Sequence, residues 1–490
     1  MAAKIFLLTI FLQYASLLSQ DRWTRVYGGT EEDWSKSGIQ TIDGEYIICG
    51  TTTSFSNDNS DVWVIKISAS GETLWERSYN PGGSSGGGSI IQVADESILI
   101  AGDYRTQSSD GFWLIKANTD GDTLWTRKYP DPSYSGGALV AIIESPDVGY
   151  LMLGWMSIGG NVDFYAVKVD SSGDILWTQY YGGSEDDYAR SMTRSNDNGY
   201  LLYGTTESFG AGNTDQYLVK INATGEIQWS RTYGGSQYDY GSSITQLPGD
   251  GYLLAGTSGS GAPRGYAASL TKIDTAGETE WSQTYGGNHN DAFLSVIPSL
   301  DQGFVLAGYT WSFGAGESDY WLVKTDFFGD TLWTQTYGGN QEEQANEVIQ
   351  TFDEGFLIIG YTDSFTAGQK GSFIVKTDAS GNTGSYPTVS IESQSMQAPS
   401  ESLSVYPNPT NQAVQISYTL YSSTSVQLIV YDITGRIVWS ENLHDQSIGR
   451  NLYYWPIINQ NGLELSSGLY ILNVFEDQTK IETMKIAILK

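Results

Sequence analysis

Short apolar segments separated by turns recur along the chain. In one stretch, residues 177–181 alternate between apolar and polar and end at two glycines, whereas residues 200–204 are almost wholly apolar. Alternation predicts a strand with one buried face, and a continuous apolar run predicts a strand covered on both faces. Together with residues 189–193 and 217–220, this pattern predicts four short strands and no helix in each stretch.

This unit recurs seven times with a period close to 52 residues, which three series of residues mark. The first series is a tryptophan in the fourth strand, the second a lysine that closes the third strand, and the third a glycine that ends the second strand. The tryptophans are Trp23, Trp75, Trp125, Trp177, Trp229, Trp281 and Trp333, the lysines are Lys66, Lys116, Lys168, Lys220, Lys272, Lys324 and Lys376, and the glycines are Gly50, Gly102, Gly154, Gly204, Gly256, Gly308 and Gly360. Four antiparallel strands in about 50 residues are typical of a β-propeller blade.

The two ends of the repeat array complement each other. The last repeat has a turn at 378–381 but lacks the tryptophan strand that should follow, and a strand of that kind stands alone at residues 23–27. We therefore predict an all-β fold, a seven-bladed β-propeller over residues 21–382 whose N-terminal strand completes the last four-stranded blade. Such pairing leaves no open sheet edge at the junction. An extended β-solenoid is the alternative, although its coils are usually shorter than this period.

The remaining segments predict export and a second domain. Residues 1–20 contain Lys4, the apolar run 5–12 and small residues, as expected of a signal peptide. Residues 383–403, rich in Ser, Thr and Gln, predict a linker. Alternating segments in residues 404–490 predict a small Ig-like antiparallel β-sandwich. No later segment is long and apolar enough to predict a transmembrane span.

Residues 404–490 contain the motifs Pro407-Asn408-Pro409, Tyr431-Asp432-x-x-Gly435-Arg436 and Ser467-Gly468-x-Tyr470, and a basic C-terminal segment. In order and spacing, these motifs closely resemble the C-terminal sorting domain (type A) of type IX secretion substrates, known from Bacteroidetes and related Gram-negative bacteria. The resemblance implies Sec export, an interaction with the type IX secretion machinery, and a final location outside the cell or on its outer surface. It assigns the sorting motif to Pro407, Asn408, Pro409, Asp432, Gly435, Arg436, Gly468, Tyr470, Lys485 and Lys490. The repeats themselves resemble bacterial extracellular propeller repeats, which implies a fold and little else.

Composition excludes several classes of function. The net charge of −31 argues against a nucleic-acid partner. Cys49 is the only cysteine, so no intramolecular disulfide forms, and its apolar neighbours predict a buried core residue. The two histidines, His289 and His444, fall in different predicted domains, which excludes a His-rich metal site and disfavours a Ser-His-Asp triad.

The polar residues that recur in the repeats have structural interpretations. Asp33, Asp187, Asp239 and Asp291 recur at one loop position, and each is expected to fix its own turn. The seven lysines are expected to form ion pairs within blades. Residues 56–61 offer closely spaced oxygen ligands but lack the glycine and distal glutamate of a calcium loop. No catalytic, cofactor or metal residue is therefore assigned, and calcium is the one cofactor left open.

Two classes of function remain. Regular repeats without a chemically rich insertion favour a secreted or surface-displayed binding or structural module, whose ligand is a polysaccharide or a surface protein. The alternative is an extracellular enzyme that acts on polysaccharide with paired carboxylates on the funnel face of the propeller. Carboxylates are abundant, so composition does not decide between the two.

Overall fold

The computed structural model describes residues 22–384 and 403–488, apart from short gaps at 57–58, 108, 131–135, 147–148, 248–250, 261, 263–264, 302, 367–368, 407–409, 411–412, 421–423, 434–435, 447–448, 461 and 477–478. Every regular element in the described ranges is a strand, so the fold is all-β. These ranges contain no helix with the length and apolarity of a membrane span. The chain divides into two compact units, residues 1–394 and 395–490.

The described strands of the first unit form seven four-stranded antiparallel sheets, numbered here along the chain. Sheets 1 to 3 contain β2 (Asp33–Gln40), β3 (Tyr46–Thr52), β4 (Asp61–Ile67) and β5 (Thr73–Tyr79); β6 (Ser84–Gln92), β7 (Ile98–Arg105), β8 (Asp110–Ala117) and β9 (Thr123–Pro130); and β10 (Gly137–Glu144), β11 (Tyr150–Ile158), β12 (Asn161–Val169) and β13 (Ile175–Tyr181). Sheets 4 and 5 contain β14 (Asp187–Arg194), β15 (Tyr200–Thr206), β16 (Asp215–Ile221) and β17 (Ile227–Tyr233); and β18 (Asp239–Gln246), β19 (Tyr252–Ser258), β20 (Ala267–Ile273) and β21 (Thr279–Tyr285).

Sheets 6 and 7 complete the unit, and sheet 7 joins the two ends of the repeat array. Sheet 6 contains β22 (Asp291–Pro298), β23 (Phe304–Thr310), β24 (Asp319–Thr325) and β25 (Thr331–Tyr337), and sheet 7 contains β26 (Glu343–Gln350), β27 (Phe356–Thr362), β28 (Gly371–Thr377) and β1 (Trp23–Tyr27). In sheet 7, Trp23 lies opposite Lys376 and Tyr27 opposite Ser372. The N-terminal strand therefore pairs with the last repeat, as the sequence predicts.

Apolar clusters lie between successive sheets. Cys49 of sheet 1 packs in one cluster with Ile100 and Trp113 of sheet 2. Another cluster joins the last sheet to the first, because Leu357 of sheet 7 packs with Trp63 of sheet 1. The middle strands consequently bury both faces, which explains their wholly apolar sequences.

A tyrosine fastens the outer strand of each sheet to a turn of the next sheet, and in sheets 7, 1 and 3 a tryptophan adds a second hydrogen bond to that turn. Tyr79 Oη donates a hydrogen bond to the Gly121 carbonyl over 2.7 Å, and Trp75 Nε1 donates to the Thr119 carbonyl over 3.1 Å. Gly121 has a φ of +81°, and a Cβ there would lie 3.1 Å from the Trp75 ring, so glycine serves both the turn and the contact. The same tyrosine–glycine bond joins Tyr27 to Gly71, Tyr129 to Gly173, Tyr181 to Gly225, Tyr233 to Gly277, Tyr285 to Gly329 and Tyr337 to Gly381.

The contact between sheets 7 and 1, called the seam below, uses this bond and several others. Tyr27 Oη lies 2.6 Å from the Gly71 carbonyl oxygen. The hydroxyl oxygens of Ser35 and Ser372 are 2.5 Å apart, and Asn346 Nδ2 donates to the Ser35 carbonyl over 2.8 Å. The first strand of sheet 7, β26, also contacts β2 of sheet 1.

Glu347 takes the place of a serine at the seam. In other sheets a serine hydroxyl accepts a hydrogen bond from the next first strand, as Ser37 does from Ile90 N and Ser295 from Val348 N. Glu347 Oε2 accepts the corresponding bond from Gly38 N over 2.7 Å. Burial raises the pKa of Glu347 to about 7, against the hydrogen bonds from Gly38 and Ser37 that lower it.

The second unit consists of two sheets around one apolar core. One sheet has the order β29 (Leu403–Tyr406), β30 (Val414–Leu420) and β33 (Gly449–Trp455), and the other β32 (Ile437–Gln446), β31 (Thr424–Asp432), β34 (Gly468–Glu476) and β35 (Thr479–Ile488). Val414 and Trp455 of the first sheet pack with Leu428 and Leu472 of the second. The predicted signal peptide 1–20 and residues 385–402 of the predicted linker lie outside the described residues.

The Glu347→Gln substitution tests the seam through pH. Because the folded-state pKa of Glu347 is raised, the folded protein keeps a proton that the unfolded chain loses, and stability falls as pH rises from about 4.5 to about 7. Glutamine keeps an acceptor for Gly38 N and stays neutral, so the free energy of unfolding at pH 8 should rise by about 1–3 kcal/mol, with little change at pH 4.5. Urea unfolding at both pH values measures this difference. The exposed Glu31→Gln is the control, and an identical pH dependence in Glu347→Gln and the unmodified protein would contradict the assignment.

Candidate functional site

Two motif segments of the second unit meet at neighbouring strand ends. Asp432, the last residue of β31, lies opposite Tyr470 in β34. Arg436 folds back onto Asp432, with its Nε 3.0 Å from Oδ2 and its backbone N 3.1 Å from Oδ1. The buried Tyr470 donates from its hydroxyl to the Ser466 carbonyl over 3.0 Å. The fold thus brings the Asp-x-x-Gly-Arg and Ser-Gly-x-Tyr segments together.

The other described residues of the sorting motif lie in strands β34 and β35. Gly468 opens β34, and Lys485 lies in β35 opposite Ile471. The side chains of Lys485 and Arg436 are both exposed. Outside the described residues lie Pro407, Asn408, Pro409, Gly435 and Lys490.

Each repeated loop carboxylate of the first unit accepts hydrogen bonds from its own turn, an arrangement that we call a carboxylate clasp. Asp291 accepts hydrogen bonds from Gly287 N over 2.8 Å, from Ser312 Oγ over 2.7 Å and from the Thr310 hydroxyl. Equivalent clasps are built on Asp33, Asp187, Asp239 and Glu343. All five carboxylates are buried, so the prediction that the recurring aspartates fix their turns is confirmed.

The repeated lysines and the cysteine also serve the fold. Lys220 Nζ lies 2.7 Å from Asp197 Oδ1, and Lys168 Nζ donates to Ser145 Oγ over 2.5 Å. The other members of the series pair with a carboxylate of their own sheet: Lys66, Lys116, Lys272, Lys324 and Lys376. The ion-pair prediction is confirmed for these six lysines. Cys49 is fully buried, as predicted, and burial raises the pKa of its thiol to about 12.

The described part of the chain contains no group of three or more His, Cys, Asp and Glu side chains able to hold a metal ion. Residues 57 and 58 of the calcium candidate segment 56–61 lie outside that part. His289 is exposed on its loop, and His444 belongs to the second unit.

A second set of residues varies from sheet to sheet at one fixed place. In each sheet the residue after the repeated glycine lies opposite a residue near the start of the first strand, and we call these seven pairs the inner-edge pairs. They are Trp34–Thr51, Gly86–Asp103, Ala138–Trp155, Tyr188–Thr205, Tyr240–Thr257, Ala292–Tyr309 and Gln344–Tyr361. Six pairs contain one aromatic residue opposite a smaller one, and the seventh contains Asp103.

The inner-edge pairs of neighbouring sheets are close to one another. The rings of Trp155 in sheet 3 and Tyr188 in sheet 4 are 5.4 Å apart, edge to face. Thr205 Oγ1 of sheet 4 accepts a hydrogen bond from Gly241 N of sheet 5 over 3.2 Å. None of the six aromatic side chains is fully buried, and Tyr240 is 37% exposed. These aromatic side chains are therefore partly open to solvent, and all except Trp155 lie near the loop of their own sheet that carries the repeated carboxylate.

Asp103 is the carboxylate among these pairs. Burial raises its pKa to about 6, although Lys36 of sheet 1 and a hydrogen bond from the backbone of Leu139 in sheet 3 lower it. A carboxyl group that is half-protonated near pH 6 can donate or accept a hydrogen bond to a ligand hydroxyl. Sequence reasoning missed this site. Its signal was the residue after the repeated glycine, which varies among Thr, Asp, Trp and Tyr while the glycine itself stays constant.

A bulge interrupts each first strand, and its extra residue comes two positions after the first-strand member of the inner-edge pair. The extra residues are Lys36, Gly88, Val140, Arg190, Ser242, Leu294 and Asn346. Each first strand contacts the first strand of the next sheet, and β26 contacts β2. The six side chains other than glycine reach solvent, although the residue before each of them is buried. We call these seven residues the bulge positions.

Comparison with known families identifies the second unit. Residues 404–489 match the family described as the secretion system C-terminal sorting domain. The chain therefore carries a type IX secretion sorting domain, as the sequence motifs predict, and is exported to the extracellular space or the cell surface.

Whole-chain similarities are weaker. PorZ, an essential bacterial surface component of the type-IX secretion system of Porphyromonas gingivalis, has 12% identity and a TM-score of 0.28 over 91% of this chain and 64% of its own. Sqt1 from Chaetomium thermophilum has 11% identity and a TM-score of 0.44 over 74% and 98%. The regulatory protein FlaEY of Caulobacter vibrioides is 23% identical over 194 residues. This match covers 37% of the present chain but only 19% of the length of FlaEY. These similarities are too weak to carry a conclusion about function.

Proposed function

We propose that this chain, which leaves the cell by means of its C-terminal sorting domain, folds upstream of that domain into a closed seven-bladed β-propeller that binds polysaccharide. The observation that carries the proposal is the aromatic residue in six of the seven inner-edge pairs. In a closed propeller these pairs encircle the mouth of the central channel on the loop face.

The contacts across the seam support closure. The Tyr27–Gly71 hydrogen bond repeats the bond found between every other pair of successive sheets, and the Glu347–Gly38 bond replaces a repeated serine bond. Each four-stranded sheet is then one blade. The domain assignment that follows is a signal peptide at 1–20, the propeller at 21–382, a linker at 383–403 and an Ig-like sandwich that carries the sorting signal at 404–490.

Aromatic side chains at such a mouth suit a sugar ligand. The face of an indole or phenol ring stacks against the C–H groups of a pyranose, while nearby carboxylates and amides accept or donate hydrogen bonds to its hydroxyls. The repeated carboxylates and lysines already have partners within their own sheets. The inner-edge aromatics do not repeat in position within their pairs, so the fold does not require them.

Hydrolysis of the same polysaccharide is a second candidate function, which Asp103 favours. A carboxyl group with a pKa of about 6 suits a general acid. Glycoside hydrolysis also requires a second carboxylate about 5–9.5 Å away. Glu347, a second described carboxyl group whose pKa is raised by burial, accepts the seam hydrogen bond from Gly38 and is therefore a structural group.

The sorting residues of the second unit fall into two groups, one that holds the motif segments together and one that is exposed. The Asp432–Arg436 contact and the Tyr470–Ser466 bond fix the two segments against each other. We expect the exposed cationic groups of Arg436 and Lys485 to contact the secretion machinery, and 78% of the Arg436 side chain is accessible.

Secretion of a reporter tests this role. A reporter with a Sec signal, fused to residues 383–490 in a bacterium with a type IX system, should reach the medium or cell surface. Arg436→Ala should lower the exported fraction severalfold, because it removes an exposed cation and its contact with Asp432. Asn442→Ala, which changes an exposed residue of β32, is the control. Equal export of both variants would contradict a role for Arg436.

Glycan binding tests the propeller. Residues 21–490 should bind at least one member of a panel of neutral and acidic polysaccharides, and Trp155→Ala should weaken that binding by roughly tenfold through lost stacking. Phe328→Ala is the matched control, since Phe328 is a 67% exposed aromatic in the β24–β25 turn, at the opposite end of its sheet from the mouth. Equal binding by the two variants would contradict the mouth site. Turnover of the bound glycan that is lost in Asp103→Asn would favour the hydrolase.

A further inference from the structure

Two basic side chains of the first unit differ from the rest. Among its described residues, Lys36 and Arg190 are the basic groups with neither an ion pair nor a hydrogen bond. The others bind a carboxylate, a hydroxyl or a carbonyl: Arg22, Arg25, Lys66, Arg77, Arg105, Lys116, Arg127, Lys128, Lys168, Arg194, Lys220, Arg231, Lys272, Lys324, Lys370 and Lys376. The chain has 56 acidic and 25 basic residues, so carboxylate partners are not scarce. A scarcity of carboxylates therefore does not explain why these two cations lack an ion pair.

That position is the same in both cases. Lys36 and Arg190 occupy the bulge positions of sheets 1 and 4, and the other five bulge residues are uncharged. Lys36 lowers the pKa of Asp103, so it lies near the inner-edge pair of sheet 2. The Arg190 guanidinium lies 6.0 Å from the centre of the Tyr188 ring, which belongs to the inner-edge pair of sheet 4.

Arg190 also has the surroundings of a concave site. Its side chain is exposed to solvent, yet surrounding protein lowers the pKa of its guanidinium by desolvation. A group on a convex surface is well solvated, whereas a group inside an open channel is reached by water and still enclosed by protein. In a ring of seven sheets, sheets 1 and 4 stand on nearly opposite sides. The two cations then face one channel from both sides, beside the aromatic mouth.

We propose that Lys36 and Arg190 bind the anionic group of an acidic sugar whose ring stacks on the inner-edge aromatics. This inference rests on the proposed function and specifies its ligand. The shared chemistry is a carboxylate or a sulfate on a pyranose ring, which a guanidinium and an ammonium bind through charge-assisted hydrogen bonds. The many acidic groups of the protein, which include Asp186 beside Tyr188, oppose a polyanion less strongly at physiological salt, where screening acts over about 8 Å.

The matched test compares three oligosaccharides with residues 21–490 by calorimetry. Trigalacturonate carries carboxylates, its methyl ester has the same rings without charge, and a sulfated galactose trisaccharide carries the other anion. At least one charged probe should bind roughly tenfold or more tightly than the ester, with an affinity that falls as salt rises. The stronger charged probe identifies the anion.

Two single variants test whether Lys36 and Arg190 supply the positive charge that binds the anionic sugar. Serine already occupies the bulge position of sheet 5, as Ser242. The Lys36→Ser and Arg190→Ser variants should therefore fold normally, with an unchanged melting temperature. Each should weaken binding of the charged probe by roughly tenfold and leave the ester unaffected. Arg231→Ser is the control, because it removes one positive charge from the outer strand β17, where Arg231 pairs with Glu278.

The outcomes separate this inference from the proposed function. Equal affinity for acid and ester, unaffected binding in both variants, or no binding of either charged probe would overturn the assignment of the cations. If neutral glycans nevertheless bind in a manner that depends on Trp155, the polysaccharide site stands without its anionic specificity. If no glycan of the panel binds, the proposed polysaccharide binding and the assignment of the two cations are both contradicted.

Discussion

The hydrogen bond from a tyrosine hydroxyl to a glycine carbonyl of the next sheet is the contact on which the first unit depends. A single four-stranded sheet of this sequence has two apolar faces and is unstable alone, so it must be covered on both sides. The tyrosine and its neighbouring tryptophan fix how closely one sheet approaches the next, and the glycine permits both the turn and the close contact. Tyr27 and Gly71 repeat that geometry between the last sheet and the first, over 2.6 Å.

Comparison of the repeated sheets distinguishes residues that maintain the fold from residues that can bind a ligand. Groups that recur in every sheet are already engaged: the clasp carboxylate of Asp291 holds its turn, and Lys220 is paired with Asp197. Groups at the inner-edge pairs and bulge positions share one place but differ in chemistry from sheet to sheet. A repeat fold that keeps its architecture constant can vary these positions freely, and here they combine aromatic rings, one carboxyl group and two cations.

Much of the architecture could be predicted from the sequence because its causes are local. The tryptophan, lysine and glycine series marked the strands, and the absence of a final strand pointed to residues 23–27 as its substitute. The motifs around Asp432 and Tyr470 pointed to the sorting domain for the same reason. The inner-edge site was not predictable in this way. It depends on which residue of β2 faces Thr51, and a bulge after Ser35 shifts that register by one residue in a way that apolar periodicity does not reveal.

The closed ring is the central claim, and a cross-link at the seam tests it most directly. Ser35 and Ser372 come from sheets 1 and 7, are separated by most of the repeat array, and have hydroxyl oxygens 2.5 Å apart. In a Cys49→Ala background, the double variant Ser35→Cys and Ser372→Cys should form an intramolecular disulfide on mild oxidation, detected by peptide mapping of the folded monomer. Two free thiols in a folded protein, after oxidation under conditions that couple exposed control thiols, would contradict the closed ring.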